Sequence, residues 1–126
     1  MKLARLVDPN FHTALEKLST QELPVKVAYR LKGVIKSTRE EFQKYEEFRG
    51  ELLQKYGKKD DNGVVVVDSN NNISFEPEQF QAFAKDLAEL TNEDLNLPTA
   101  KISELGDKVT MTILEMEQLD GVIIDD

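Results

Sequence analysis

Residues 23–57 decide the fold, and they read LPVKVAYRLKGVIKSTREEFQKYEEFRGELLQKYG. Apolar side chains recur along this stretch in alternating steps of three and four residues, which is the spacing of one face of an α-helix. We therefore predict a helix from Pro24 to Tyr56, about 50 Å long. Two internal glycines, Gly33 and Gly50, disfavour the helical state, so a bend or break is an alternative. The predicted apolar stripe comprises Leu31, Ile35, Thr38, Phe42, Tyr45, Leu52 and Tyr56.

Shorter elements flank this helix on both sides. Asp8 is a suitable cap for a helix from Pro9 to Leu18, and Thr112 for a helix from Ile113 to Asp120. A β-branched run at 64–67 and a period-two run at 73–75 surround an Asn-rich turn, which predicts a β-hairpin. The remaining predicted elements are a helix over 77–90 and a short strand over 101–105.

These elements predict an α+β fold that is mainly α. It consists of a long helix, a β-hairpin and a returning helix, with short terminal helices and a small antiparallel sheet. We expect the hairpin to pair with the 101–105 strand, because an isolated hairpin is marginally stable in water. The chain is predicted to form one domain over 1–126. Its parts are an N-terminal helical extension (1–20), a helix–hairpin–helix core (24–90) and a C-terminal strand and short helix (94–126).

The charge distribution divides the chain into two halves. The net charge is −8, but residues 1–59 carry 13 Lys and Arg against 8 Asp and Glu, whereas residues 60–126 carry 3 against 16. This split favours attraction between the halves, within one chain or between chains, although two separately solvated faces are the alternative. The acidic total disfavours a nucleic-acid partner. No signal peptide or membrane span is predicted, so we expect a cytoplasmic location and no membrane partner.

The chain lacks the residue patterns of common catalytic and metal sites. It has no cysteine and one histidine, His12, which is predicted to lie on the polar side of a short helix. Asp68, Asn70 and Asn72 match the first positions of an EF-hand loop, but Ile73 stands where glycine is required. No glycine-rich nucleotide motif occurs. We therefore predict no catalytic residue, no metal site and no cofactor, and hence a protein that is not an enzyme.

Three features are candidate interaction surfaces. The returning helix is too short to cover the whole stripe of the long helix, so terminal helices or a second chain must cover the rest. A basic cluster lies on the same stretch, and the C-terminal apolar run could be lent to a neighbour as a strand. The candidate residues are Leu31, Ile35, Phe42 and Tyr45 of the stripe, Lys26, Arg30, Lys32 and Lys36 of the cluster, and Val122, Ile123 and Ile124 of the C-terminal run.

The order of these segments resembles a known group of proteins. The matching segments are the run at 23–57, DDNG at 60–63, the valine run, the Asn turn, ISF at 73–75, EPEQFQAFAKDLAELTNEDLNLP at 76–98 and ISEL at 102–105. Over roughly residues 22–124 the chain resembles a family of small uncharacterised proteins encoded by tailed bacteriophages. The resemblance implies a phage origin and a helix–hairpin–helix core. It implies no catalytic residue, cofactor or mechanism.

Three functional hypotheses follow. The first is a non-enzymatic, phage-type protein–protein interaction module that acts through the long amphipathic helix. It would self-associate as a homo-oligomer or bind a viral or host protein in the host cytoplasm. The second is a structural or assembly component of a phage particle, associated with the virion. The third is an acidic decoy that inhibits a host nucleic-acid-binding protein through Asp86, Glu89, Glu93 and Asp94.

Overall fold

The computed structural model describes residues 1–125, and helices dominate the described chain. The mainly helical class predicted from the sequence is therefore confirmed. The α-helices are α1 (Leu3–Leu6), α2 (Pro9–Ser19), α3 (Val25–Tyr56), α4 (Pro77–Thr91) and α5 (Ile113–Gln118), with a 3-10 helix over Ile102–Leu105 and strands β1 (Ala100–Lys101) and β2 (Ile123–Ile124).

The helix starts follow the capping residues seen in the sequence. Asp8 accepts a hydrogen bond from the Asn10 backbone N–H at 2.9 Å, which satisfies one free donor at the start of α2. At the start of α5, Thr112 and Glu115 each accept a backbone N–H from the other. Helix α3 is assigned without interruption over its 32 residues, through both internal glycines. The four-residue α1 was not predicted, because so short a segment carries no helical period.

The chain divides into two compact units, and the boundary between them falls within α3, after Phe42. Unit 1 is Met1–Phe42 with Glu93–Asp126, and unit 2 is Gln43–Asn92. The prediction of a single domain stays a prediction. The buried apolar side chains of unit 1 are Leu3, Leu6, Phe11, Ala14, Leu15, Leu18, Val27, Leu31, Val34, Ala100, Leu105, Leu119, Val122 and Ile123, and those of unit 2 are Leu52 and Phe83.

The first half of the α3 stripe is buried within unit 1. Val27, Leu31, Val34 and Thr38 follow one another in steps of four, three and four, and Leu31 is only 3% exposed. Leu31 is therefore covered within its own chain. This agrees with the alternative in which no second chain is needed to cover this part of the stripe. Ile35 was predicted on the same stripe, but it lies at its edge and is only half-buried.

His12 is not the solvated side chain that the helical pattern predicted. It is half-buried, and its ring packs edge-on against Phe11 and Phe42 at centroid distances of 5.6 and 5.3 Å. Its Nε2 atom is buried and has no hydrogen-bond partner among the described residues. The pattern placed His12 correctly on α2 but could not show that α3 lies over that side of it.

The small sheet is parallel, so the prediction of an antiparallel sheet is wrong. Ala100 pairs with Ile123, and Lys101 pairs with Ile124. Between the two strands the chain passes through the 3-10 helix and α5. A connection of that length can return the chain in its original direction, whereas a tight turn reverses it. The predicted strand over 101–105 is also wrong, because Ile102–Leu105 forms the 3-10 helix.

The predicted β-hairpin is reduced to isolated antiparallel bridges in unit 2. They join Lys59 to Val65 and Val67 to Ile73, so the valine run lies between two partners, neither of which is β1. The Val66 N–H donates to Lys58 O at 2.7 Å, and the Ser74 N–H donates to Val66 O at 3.0 Å. The expected pairing of the hairpin with residues 101–105 is therefore wrong.

Two Asp-anchored turns shape this region. Asp60 Oδ1 accepts the backbone N–H groups of Asn62 and Val64, and Asp68 Oδ1 accepts those of Asn70 and Asn72. The fourth residue of each turn has a positive φ, 77° at Gly63 and 63° at Asn71. Glycine and asparagine are the residues that tolerate this conformation best. The DxN motifs thus act as turn signals.

Candidate functional site

The basic cluster on α3 divides into paired and unpaired cations. Arg30 donates to Glu104 of the 3-10 helix, so its charge is used within unit 1. The side chains of Lys26, Lys32, Lys36 and Arg39 are exposed and make no ion pair among the described residues. Four unneutralised cations therefore remain on this part of α3.

Three of these cations border a groove in unit 1. The groove has a volume of about 370 Å³, and apolar side chains of α3 and of the segment before it contribute much of its wall. Lys32, Lys36 and Arg39 supply the positive charge. The lining residues are Ser19, Gln21, Leu23, Ala28, Leu31, Lys32, Ile35, Lys36 and Arg39. We refer to this cavity as the basic groove.

The basic groove brings together four of the predicted interaction residues. Leu31 and Ile35 of the stripe meet Lys32 and Lys36 of the cluster in one cavity. Sequence reasoning missed Leu23, because the segment before α3 has no period that would place it against the helix. It also missed Ala28, which lies on α3 one turn before the first residue of the predicted stripe. An apolar surface bordered by cations can hold a segment that presents both apolar and acidic side chains.

The other predicted residues do not line this groove. Phe42 is half-buried against His12, and Tyr45 is a half-buried residue of unit 2. Val122 and Ile123 are buried, and Ile123–Ile124 forms β2, so the C-terminal run is paired within the chain. Two exposed residues of α3, Val25 and Tyr29, were not among the predicted residues. Their spacing of four on the face opposite the stripe is the signal that could have found them.

Opposite charges meet within unit 1. Lys2 pairs with Asp94 at 3.1 Å, Lys17 with Glu115 at 2.8 Å, and Arg30 with Glu104. Each pair joins a cation of the N-terminal segment to a carboxylate of the C-terminal segment. The charge split therefore acts at least partly within the chain, although exposed pairs of this kind contribute little stability each.

Hydrogen bonds perturb two of these carboxyl groups. The Lys101 backbone N–H and then Arg30 donate to Glu104, which holds the pKa of Glu104 below its usual value. Lys17 and then Thr112 lower the pKa of Glu115 in the same way. In both cases the hydrogen bonds favour the ionised form.

We expect acid to destabilise the protein partly through these two carboxylates. A group with a lowered pKa stabilises the fold above its unfolded pKa, about 4.3 for Glu, and loses that contribution as the pH falls through its folded value. Glu104→Gln should therefore reduce the difference in unfolding free energy between about pH 7 and about pH 3. Urea unfolding over this range measures the difference. Lys59→Gln removes an exposed charge but no carboxylate, so it should keep the wild-type difference in unfolding free energy between the two pH values. An unchanged difference in Glu104→Gln would contradict the prediction.

No metal site accompanies the basic groove in the described part of the chain. Residues 1–125 contain no group of three His, Asp or Glu side chains placed to hold a metal ion. No described helix is both long enough and apolar enough to cross a membrane.

Comparison with known proteins adds no relative. The chain matches no family model, no curated protein and no solved structure. The resemblance to small proteins of tailed bacteriophages therefore stays a prediction.

Proposed function

We propose that this chain is a non-enzymatic protein-interaction module and that the basic groove of α3 binds an acidic, amphipathic segment of a partner protein. One observation carries the proposal. Half-buried Ile35 lines the same cavity as three unpaired cations, Lys32, Lys36 and Arg39. The proposed partner is a protein segment, because a nucleic acid would meet a chain of net charge −8.

The groove suits a partner segment in a helical conformation. An amphipathic helix binds such a groove by inserting apolar side chains spaced three and four residues apart. In this groove those side chains would contact Ile35, Leu23 and Ala28. Acidic side chains next to them would lie close to Lys32 and Lys36, where they would orient the partner and speed its approach. Apolar contact supplies affinity, and charge supplies selectivity.

The assembly hypothesis uses the same groove with a virion protein as the partner. The decoy hypothesis has less support, because two of its four acidic residues are engaged within their own units. Asp86 accepts a hydrogen bond from the Tyr56 hydroxyl at 2.6 Å, and Asp94 pairs with Lys2. The Asp94 charge is thus partly neutralised by Lys2, and the Asp86 carboxylate is engaged in a hydrogen bond.

A synthetic peptide tests the groove directly. The probe is a fluorescent helical peptide with leucines spaced three and four residues apart and glutamates beside them, and a scrambled peptide of the same composition is the control. We expect Ile35→Asp and Lys36→Glu each to weaken binding of the ordered peptide by at least about tenfold, or about 1.4 kcal/mol, in fluorescence anisotropy. Leu31 is unsuitable for this test, because its buried side chain also supports the fold.

Lys59→Glu is the matched control for the charge reversal. Lys59 is an exposed lysine of unit 2 and makes no ion pair among the described residues. We expect this variant to bind the peptide like the wild type. Equal binding of the ordered and scrambled peptides would refute the proposal, and so would equal weakening by Lys59→Glu and Lys36→Glu.

A further inference from the structure

Five large apolar side chains of unit 1 are exposed, among the residues that the structure describes. Val25 and Tyr29 on α3 are 82% and 80% exposed, and Ile113 and Leu114 on α5 are 80% and 72% exposed. Ile102 of the 3-10 helix is the fifth and is also exposed. Exposed apolar residues that are scattered singly need no explanation. Four of these residues instead form one group on α3 and one on α5, and the charged side chains around the two groups differ in sign.

The first group forms a basic ridge on α3, which we define as Val25, Lys26, Tyr29 and Lys32. Val25, Tyr29 and Lys32 follow in steps of four and three, so they share one exposed helix face. Lys26 lies beside them and, like Lys32, makes no ion pair in the described structure. The ridge therefore projects two large apolar side chains between two unneutralised cations.

Ile113 of the second group lines an acidic groove of about 600 Å³ in unit 1, together with Ile102. Four apolar side chains line it together with three carboxylates and one arginine, a net charge of −2. The arginine, Arg5, donates to the backbone carbonyl of Glu117. The lining residues are Arg5, Ile102, Ile113, Met116, Glu117, Gln118, Asp120, Ile123 and Asp125.

We propose that the basic ridge of one chain binds the acidic groove of a second copy of the same chain. The ridge is convex, apolar and positive, whereas the groove is concave, apolar and negative. One chain thus carries both complementary surfaces, and self-association requires both. A foreign partner would need one surface to match the ridge and another to match the groove. This contact shares Lys32 with the basic groove, but Val25 and Tyr29 do not line that groove, so substitutions at Tyr29 test the contact separately from the proposed partner binding.

The smallest closed arrangement that covers both surfaces is a two-fold dimer. In it the ridge of each copy enters the groove of the other, so two equivalent contacts form at once. A head-to-tail chain of copies would instead leave one ridge and one groove uncovered at its ends. The dimer buries Val25, Tyr29 and Ile113 of both copies.

Light scattering of the full chain over a range of concentrations tests the dimer. We expect a mass of twice 14.3 kDa at high protein concentration. Tyr29→Asp and Ile113→Asp should each raise the dimer dissociation constant by at least about tenfold. Both side chains are exposed in the single chain, so circular dichroism should show an unchanged fold. Val64→Asp changes an exposed valine of unit 2 and should leave the dimer intact.

Mixing the two variants separates this contact from any other. Tyr29→Asp retains an intact groove and Ile113→Asp an intact ridge, so a mixed dimer contains one undamaged contact that neither variant forms alone. We expect the mixture to dimerise more tightly than either variant. A single-chain mass at every concentration would overturn the proposal, as would a mixture no tighter than its components. Loss of the dimer in Val64→Asp would also overturn it.

Discussion

Replacement of Phe11 by alanine is expected to lower the free energy of unfolding by about 3–5 kcal/mol. Phe11 is fully buried in unit 1, and its ring packs edge-on against His12. The loss combines the transfer free energy of the ring with the cost of the cavity that it leaves. A loss of this size is a large part of the stability of a small domain, so the variant should be extensively unfolded at moderate temperature.

Urea unfolding followed by circular dichroism measures this loss. Phe80→Ala is the matched control, because it deletes the same ring from a side chain of α4 that is about half exposed. We expect the control to lose only about 1 kcal/mol, since much of its ring already contacts water. A Phe11→Ala loss as small as that of the control would show that the core of unit 1 is not tightly packed around this ring.

Helices were predictable because their signals are local. The three-and-four spacing of apolar residues, the caps at Asp8 and Thr112, and Pro77 at a helix start each act within a few residues of chain. Their agreement located α2, α3, α4 and α5 to within about two residues. The internal glycines, Gly33 and Gly50, reduce helix propensity but do not interrupt α3.

Strand pairing was not predictable in the same way. β1 and β2 are two residues long each and lie far apart in the sequence, so their direction depends on how the intervening 3-10 helix and α5 return the chain. The valine run carried a strong β signal. That signal did not reveal that Lys59, in a polar turn, is one of its partners. Only the folded chain shows which segments meet.

The candidate site was predictable in part. The period of α3 and the absence of acids near Lys32 and Lys36 pointed to Leu31, Ile35, Lys32 and Lys36, which line one groove in the structure. The stripe did not show that Leu31 is covered within the chain while Ile35 remains half-exposed. That difference depends on which other segments of unit 1 lie over the helix, and a single-helix pattern does not contain this information.

A second large effect is expected at the end of α3, where replacement of Gly57 by alanine should cost about 2–3 kcal/mol. An added Cβ would lie 2.6 Å from the backbone oxygen of Leu53 and 3.0 Å from side-chain atoms of both Val65 and Ile73. The Leu53 oxygen already accepts the Gly57 N–H at 2.8 Å, so it cannot move without weakening that hydrogen bond. Glycine is therefore required here by close packing rather than by an unusual backbone angle.

Gly50→Ala on the same helix provides a control with the opposite sign. A Cβ added at Gly50 meets nothing within 4 Å, so alanine should stabilise the helix by about 1 kcal/mol. Urea unfolding of both variants measures the contrast, and amide exchange at Ser74, which donates to Val66, reports on the bridges next to Gly57. If Gly57→Ala were as stable as the wild type, the last turn of α3 would have to move away from Val65 and Ile73. Exchange at Ser74 would then accelerate even though the global stability is unchanged.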